Sequence, residues 1–449
     1  MPGNPIRGSQ FAETWQYNQP TMHSALRCFS AIWMAVLLIT SCSLPAPASQ
    51  SAGTPTVPAQ PPTPTPTSLP PLGPFAKDLL LWVAPAFAPD PETPAGALLA
   101  DRLKAFEEQT PGVKIEVRVK SREGRGGLTE SVLTAAVAAP EALPDLITLD
   151  PEGLHAAANH GLLVSLETSI PAPEADGWYE YALASTTIEG EYLAITFAGQ
   201  TEVFAYRKDL FEAPPRRWED LLSAGNAFVI PAGDPQARFT LAQYLALGGK
   251  LTDEAGEPML QPDTLAKVLD FYRTSLDAGL LPITVERWSS PQQTWEELLA
   301  NRTTAAVAPL ESFLQAHDPA RHAATAWPAG SENPISLAEP WSWSILSMSP
   351  EKEVLSGQLL EWLMDPAFLG PWTHALGMLP PNSATLAAWP EGPALALTSG
   401  LVTAARVMPR LDVRSTVGPT LQAAISAVLN GSNTPAGAAQ QAADSLQLP

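Results

Sequence analysis

The sequence predicts an α/β protein built on open, mostly parallel sheets, and two observations carry that prediction. Short apolar or alternating runs and helical stripes follow one another in strict turn between residues 77 and 161. The stretch before residue 77 is rich in proline and uncharged, and the character of the chain changes abruptly there. Leu79-Leu-Leu-Trp-Val83 is a continuously apolar run, as a strand buried on both faces requires. Residues 95–110 place Leu99, Leu103 and Phe106 on one helical stripe, and Pro111-Gly112 stops it. Val113, Ile115, Val117 and Val119 then alternate with Lys114, Glu116, Arg118 and Lys120, the pattern of a half-exposed strand. A helix over 127–138 leads to the strand Asp145-Leu-Ile-Thr-Leu149, and a helix over 152–160 ends at Gly161. Such β-α-β-α order implies right-handed crossovers.

The middle of the chain is mixed. Glu202-Val-Phe-Ala-Tyr206 reads as a strand, and Trp218-Glu-Asp-Leu-Leu222 opens a helix. Residues 263–278 form an amphipathic helix with Leu265, Val268, Leu269, Phe271 and Tyr272 on its apolar face. A helix over 292–300 precedes the apolar strand Thr304–Ala308. The C-terminal third reads as helices over about 351–365, 366–377, 418–429 and 434–447, with no internal repeat.

With 449 residues, 45% of them apolar, the chain can build more than one domain. Its formal charge of −21 argues against a nucleic-acid partner, because phosphate binding relies on clustered Lys and Arg. Near the N-terminus Arg27 precedes the apolar run Phe29–Ile39, then Thr40, Ser41 and Cys42. A basic flank, a short apolar core and small residues describe a secretory signal peptide, and the run is shorter than the ~20 residues a bilayer needs. Ile39-Thr40-Ser41-Cys42 resembles the bacterial lipobox, which implies cleavage before Cys42 and a lipid on its thiol. Cys28 is the chain's other cysteine, so no disulfide competes for Cys42 in the mature part. Met22-His-Ser-Ala-Leu-Arg27 makes a compact basic start, and the true initiation is expected at Met22, with residues 1–41 as leader. Residues 42–76, crowded with Pro, Thr, Ser and Ala, read as an extended tether beneath a protein held at the outer face of the membrane.

Several stretches carry a resemblance. Asp145-Leu-Ile-Thr-Leu-Asp150 followed by Gly161-Leu-Leu-Val-Ser-Leu166 is similar to the first lobe of the family 1 extracellular solute-binding proteins, the maltodextrin-binding-like components of ABC importers. Tyr192–Phe211 resembles the stretch where that family's chain first crosses between lobes, and Pro214-Pro-Arg-Arg-Trp-Glu-Asp-Leu-Leu222 its following helix start. Glu339-Pro-Trp-Ser-Trp-Ser-Ile345 is similar to the return crossing, and Ala424–Leu446 to the closing helix pair. One departure is Ala194-Ile-Thr-Phe-Ala-Gly-Gln200, where the family usually shows Leu-Pro or similar. The resemblance implies a two-lobed periplasmic-binding-protein type II fold joined by crossing hinge strands. The first lobe would comprise 77–199 plus 341–380, and the second 200–340 plus 381–449. It further implies a monomer that captures a small ligand, a mono- or oligosaccharide, by hinge closure and delivers it to ABC permease subunits, with no cofactor and no metal.

Sugars present apolar ring faces and hydroxyl edges, so flat aromatic rings and polar side chains at the lobe junction are the candidate ligand contacts. Trp341 and Trp343, two apart on an extended segment, point the same way. Asp150 and Glu152 follow a strand's carboxyl end, where open α/β sheets bind ligands, with helix capping the alternative for Asp150. Gln200 and Glu202 lie at the first crossing, Glu311 follows the strand ending at Ala308, and Trp178 and Tyr179 precede the crossing segment. Trp82, Trp218, Trp295 and Trp362 fit apolar faces and are expected in the core. Arg122-Glu-Gly-Arg-Gly-Gly127 lacks the full dinucleotide spacing and reads as a loop. The six histidines are scattered and expected on the surface. A lipid-anchored hydrolase acting on glycosides is the alternative class, but no Gly-x-Ser-x-Gly elbow or His-Glu-x-x-His helix is present. A tethered sensor on the same fold is the other.

Overall fold

The computed structural model describes residues 77–346 and 349–447. The leader, Cys42 and the tether of the previous section lie outside the described residues. No helix among the described residues is long and apolar enough to cross a membrane.

Twelve strands form three sheets among the described residues: β1 Lys77–Val83, β2 Val113–Val119, β3 Leu146–Leu149, β4 Thr187–Ile188, β5 Glu191–Tyr192, β6 Ile195–Gln200, β7 Glu202–Arg207, β8 Phe228–Val229, β9 Ala305–Pro309, β10 His322–Thr325, β11 Ser336–Ile345 and β12 Ala405–Val407. The first sheet runs β12-β11-β3-β1-β2 with β6 also paired to β11, the second runs β10-β7-β9-β8, and β4 and β5 form a small hairpin. β2, β1 and β3 are parallel, joined by the helices Pro94–Gln109 and Leu128–Ala138 as the alternating pattern requires. β11 enters antiparallel to β3 and β6, so the first sheet is mixed.

Each sheet organises a core of its own. Leu79, Leu81 and Val83 of β1 pack with Leu99, Leu103 and Phe106 in the first lobe. Phe204, Phe228, Leu265, Leu269 and Tyr272 anchor the second. Each such side chain contributes about 1.5–3 kcal/mol through burial. A third cluster, including Tyr181, Val203, Trp295, Leu379 and Trp389, links the second sheet to the segment around Leu379.

The lobes are tied by short crossings. β6 ends at Gln200 in the first sheet and β7 begins at Glu202 in the second, while β11 returns with Glu339 paired opposite Gln200. Gly199 exchanges backbone hydrogen bonds with Leu379 on a further segment (2.9 and 2.8 Å). A Cβ at Gly199 would lie 2.4 Å from the Tyr181 ring, whose hydroxyl donates within reach of the Leu379 and Pro380 carbonyls. Glycine is therefore required where the hinge strand meets that ring.

Most helices fall within a residue or two of the sequence reading, and the exceptions are instructive. The helix expected over 418–429 spans Leu411–Leu429, because it continues through Gly418-Pro419, a pair that reads as a boundary. Several helices are absent from the sequence reading, among them Arg238–Ala246, Leu310–Ala316 and Pro393–Ala404; in the first, Phe239 to Tyr244 are all buried, which leaves no exposed face to mark a helical period.

Candidate functional site

Arg122, Asp150, Gln200, Glu311 and Glu339 converge where the strand ends of both lobes meet, with the Trp341 indole N–H behind them. Arg122 stands on the loop that leaves the carboxyl end of β2. Its Nε donates to Asp150 (3.1 Å), Nη1 to Gln200 Oε1 (3.2 Å) and Nη2 to Glu339 (3.0 Å). Asp150 serves two purposes: Oδ1 accepts from the Gly153 amide and caps the helix Pro151–Asn159, while Oδ2 faces Arg122. Gln200 is positioned by the donors on its oxygen, Arg122 and the Trp341 indole N–H (3.2 Å), and its Nε2 donates to Glu311 (3.2 Å). One guanidinium thus links a first-lobe strand end to both crossing strands, and through Gln200 to a second-lobe helix.

A second arginine sits deeper on the second lobe. Arg238 meets Glu202 (3.4 Å) and Asp234 (3.3 Å). It follows Ala237, a non-glycine residue held at φ 48°, whose amide donates to the Asp234 carbonyl. Left-handed backbone costs an alanine about 1–2 kcal/mol, and here it turns the first residue of a helix toward the groove. Arg414, buried in the helix Leu411–Leu429, pairs with Glu152 on the first lobe and donates to Gln236 (2.8 Å). Glu152 and Arg414 therefore close one end of the site from opposite sides.

Three adjoining cavities open among these residues. The central one, about 700 Å³ including its open mouth, has Arg122, Gln200, Glu202, Arg238, Glu311 and Glu339 on its wall. It shares Glu339 and Met408 with a cavity bordered by Glu152 and Arg414, and Gln200 and Glu311 with one bordered by Asp90 and Gln315. Together they form a continuous groove between the lobes, a favoured position for small-molecule sites.

The carboxylates in this groove feel strong burial. Desolvation pushes Glu202 up to about 7, against the pull of Arg238 and with help from Asp234 and Glu339. Burial also raises Glu311, opposed by its hydrogen bond from Gln200 and by Arg122. Among the described residues no group of three His, Cys, Asp or Glu could hold a metal ion.

Of the candidates named from sequence, Glu152, Gln200, Glu202 and Glu311 line the groove, whereas Asp150 stands behind it, bonded to Arg122 and capping the helix that follows. Trp341 and Trp343 do share a face, but that face is core. Trp341 packs on Phe87 (5.1 Å between centroids) and Trp343 on Phe197 (5.1 Å), in an aromatic cluster with Trp372. Trp341 reaches the site through its N–H to Gln200 and through its ring, which the Arg122 guanidinium overlies at 5.3 Å from the centroid, and Trp343 is fully buried. Trp178 and Tyr179 line none of the three cavities and instead meet the segment at Pro381 and Asn382. Trp82 and Trp295 are core, whereas Trp218 and Trp362 are partly exposed, the former stacked on Phe271 and the latter under Arg102. His322 is buried rather than on the surface, its ring edge against Trp295. Sequence reasoning passed over Arg122, Arg238, Glu339 and Arg414. Arg122 and Glu339 were discoverable, since the first follows the carboxyl end of a parallel strand and the second opens the return crossing; the other two depend on tertiary folding.

Two α/β lobes with a charged groove at their strand ends define the architecture of a two-lobed binding protein. Comparison with known proteins gives the family: residues 101–396 match the model of the bacterial extracellular solute-binding proteins, and the chain belongs to that family. Membership places the chain outside the cytoplasm and among binding proteins rather than enzymes. Solved structures share its fold. The sugar-binding protein MalE of Xanthomonas citri is 18% identical with TM-score 0.66, covering 82% of this chain and 96% of its own. The cyclic alpha-maltosyl-1,6-maltose binding protein of Arthrobacter globiformis is 18% identical with TM-score 0.64, over 82% and 98%. An extracellular solute-binding protein family 1 member of Alicyclobacillus acidocaldarius is 16% identical with TM-score 0.64, over 83% and 98%. A search of curated proteins found no significant match.

Proposed function

We propose that this protein is the substrate-binding subunit of an ABC importer, tethered through lipid on Cys42, which captures a carbohydrate in the interlobe groove by hinge closure. The observation that carries the reading is the convergence of Arg122, Gln200, Glu311 and Glu339 at the junction of the lobes, with donors and acceptors supplied from both sides. A polyhydroxylated ligand both donates and accepts along its edge, and such a mixed wall satisfies it. Two proteins of similar fold are named for binding sugars, which supports the same ligand class here. The first lobe is assigned 77–199 plus 341–380 and the second 200–340 plus 381–449. The ligand contacts are Glu152, Gln200, Glu202 and Glu311, joined by Arg122, Arg238 and Glu339, with Asp150 holding Arg122 in place and Trp341 supporting Gln200.

The test is a thermal-shift panel of mono- and oligosaccharides, polyols, peptides and phosphate esters. A ligand present at about 100 times its Kd adds about 2.7 kcal/mol and raises Tm by several degrees. Stabilisation by saccharides, with the ligand recovered unaltered, is the expected result. Stabilisation by peptides or phosphate esters alone would refute the ligand class, and turnover of a saccharide would refute a pure binding role.

A further inference from the structure

The groove changes character along its length. Charged and amide side chains dominate the wall of the central cavity, but the cavity that adjoins it through Glu339 and Met408 presents a run of aliphatic ones. That neighbour encloses about 1020 Å³ including its open mouth. Leu154 of the helix Pro151–Asn159 and Ile188 of β4 reach it from the first core, and Met408 from the second, with Val407 of β12 and Leu411 beside it. Its charged groups are paired within the protein. Arg410 donates to Asp412 (3.0 Å), Arg414 meets Glu152, and Glu339 accepts from Arg122. Burial, with Arg410 nearby, holds His155 below the ordinary imidazole range, so that ring is neutral at about pH 7. What this cavity offers a guest is therefore chiefly aliphatic surface. Leu411 makes the point from the other direction, since half of it is open to water at the cavity's edge. A second sugar ring is poorly served here. Among the described residues no Trp, Tyr or Phe lines either cavity, so no flat face meets a pyranose.

Building on the carbohydrate reading above, we infer that the ligand is an amphipathic glycoside: its sugar occupies the central cavity, and an uncharged aliphatic aglycone lies in the adjoining one against Leu154, Ile188, Val407, Met408 and Leu411. The glycosidic bond passes beside Glu339 and Met408, the two residues common to both cavities. Arg122 and Gln200 meet hydroxyls, while the aglycone covers side chains that no ring stacks upon. Each methylene buried there tightens binding about fourfold. Burying apolar surface also makes the heat-capacity change of binding more negative.

Methyl, butyl and hexyl glycosides of glucose, galactose and maltose test this, each titrated calorimetrically into the protein below the concentration at which it forms micelles, with 1-hexanol as the chain without a sugar. For at least one sugar the hexyl glycoside should bind at least about tenfold tighter than the methyl one, with a heat-capacity change that grows more negative along the series. 1-Hexanol should bind far more weakly than that hexyl glycoside. The double variant Val407→Thr with Leu411→Ser changes two partly or fully exposed positions and spares the central cavity. It should cut the gain from methyl to hexyl severalfold and leave methyl glycoside affinity as in the wild type, which also shows that the variant is folded. Gln315→Ala, in the cavity at the opposite end, should leave the gain intact. Equal binding of methyl and hexyl members overturns the inference and leaves carbohydrate binding standing. So does a gain that survives the double variant, or one that is lost instead in Gln315→Ala. Absence of binding by every glycoside, or 1-hexanol binding as tightly as the hexyl glycosides, overturns the carbohydrate reading, and the inference falls with it.

Discussion

Replacing Glu202 by Gln should change stability in a way that depends on pH, and the structure sets the scale. The buried carboxyl titrates at about 7 in the folded chain, against 4.5 for the ordinary group. A folded-state value above the unfolded one means that the native protein holds this proton more tightly. The associated stability is fully present below about 4.5 and is lost as pH rises through about 7. Moving from 4.5 to about 7 corresponds to about 3 kcal/mol at most. Gln keeps the shape, cannot ionise, and leaves Arg238 with Asp234. In urea unfolding followed by tryptophan fluorescence, wild type and Glu202→Gln should therefore nearly coincide at pH 4.5. Above pH 7 the variant should be the more stable, by up to about 3 kcal/mol. A difference independent of pH would mean that Glu202 is solvated, and the description of the second arginine cluster would be wrong. A wild type that gains stability over the variant with rising pH would show the Arg238 pair to outweigh burial.

Two further substitutions separate groove from core. Trp343→Ala removes a fully buried ring whose Nε1 has no partner in the protein, so the loss is one of packing and should cost about 3–5 kcal/mol in stability while ligand affinity in the folded fraction stays unchanged. A large loss of affinity at constant stability would restore that ring to the ligand site. Arg414→Gln removes the ion pair to Glu152 across the groove. With Glu152 one-third exposed at its side chain, that tie is worth about 1–2 kcal/mol, and the ligand-free protein should shift about tenfold toward open conformers, seen as a larger radius of gyration in solution scattering. An unchanged scattering profile would show that the pair holds nothing closed.

Much of the architecture is written in local patterns. The apolar run of β1, the alternation of β2 and the helical stripe of Leu99, Leu103 and Phe106 each announce an element whose burial the fold then uses. The same logic fails for Arg238–Ala246, where burial on all sides erases the period, and at Gly418-Pro419, where a boundary signal sits inside a continuous helix. The site divides along similar lines. Asp150, Glu152 and Arg122 follow strand ends and are legible from order along the chain. Trp341 and Trp343 show the limit of that reasoning: period two tells that both rings share a face, but not whether that face meets the groove or the Phe87 and Phe197 rings. Arg238 and Arg414 enter the site through helices distant in sequence, and no local signal marks them.

In the proposed mode of capture, two lobes close on a guest without altering it. Beyond Cys42 the chain has no cysteine, so a leaderless form with Cys42→Ser accepts spin labels at chosen sites only. Labels at exposed Glu108 on the first lobe and exposed Glu254 on the second report the separation of the lobes by pulsed electron resonance. A saturating saccharide should narrow the distance distribution and move it, and the saccharide should be recovered intact. A distribution identical with and without a ligand known to bind would contradict closure of the groove as the means of capture.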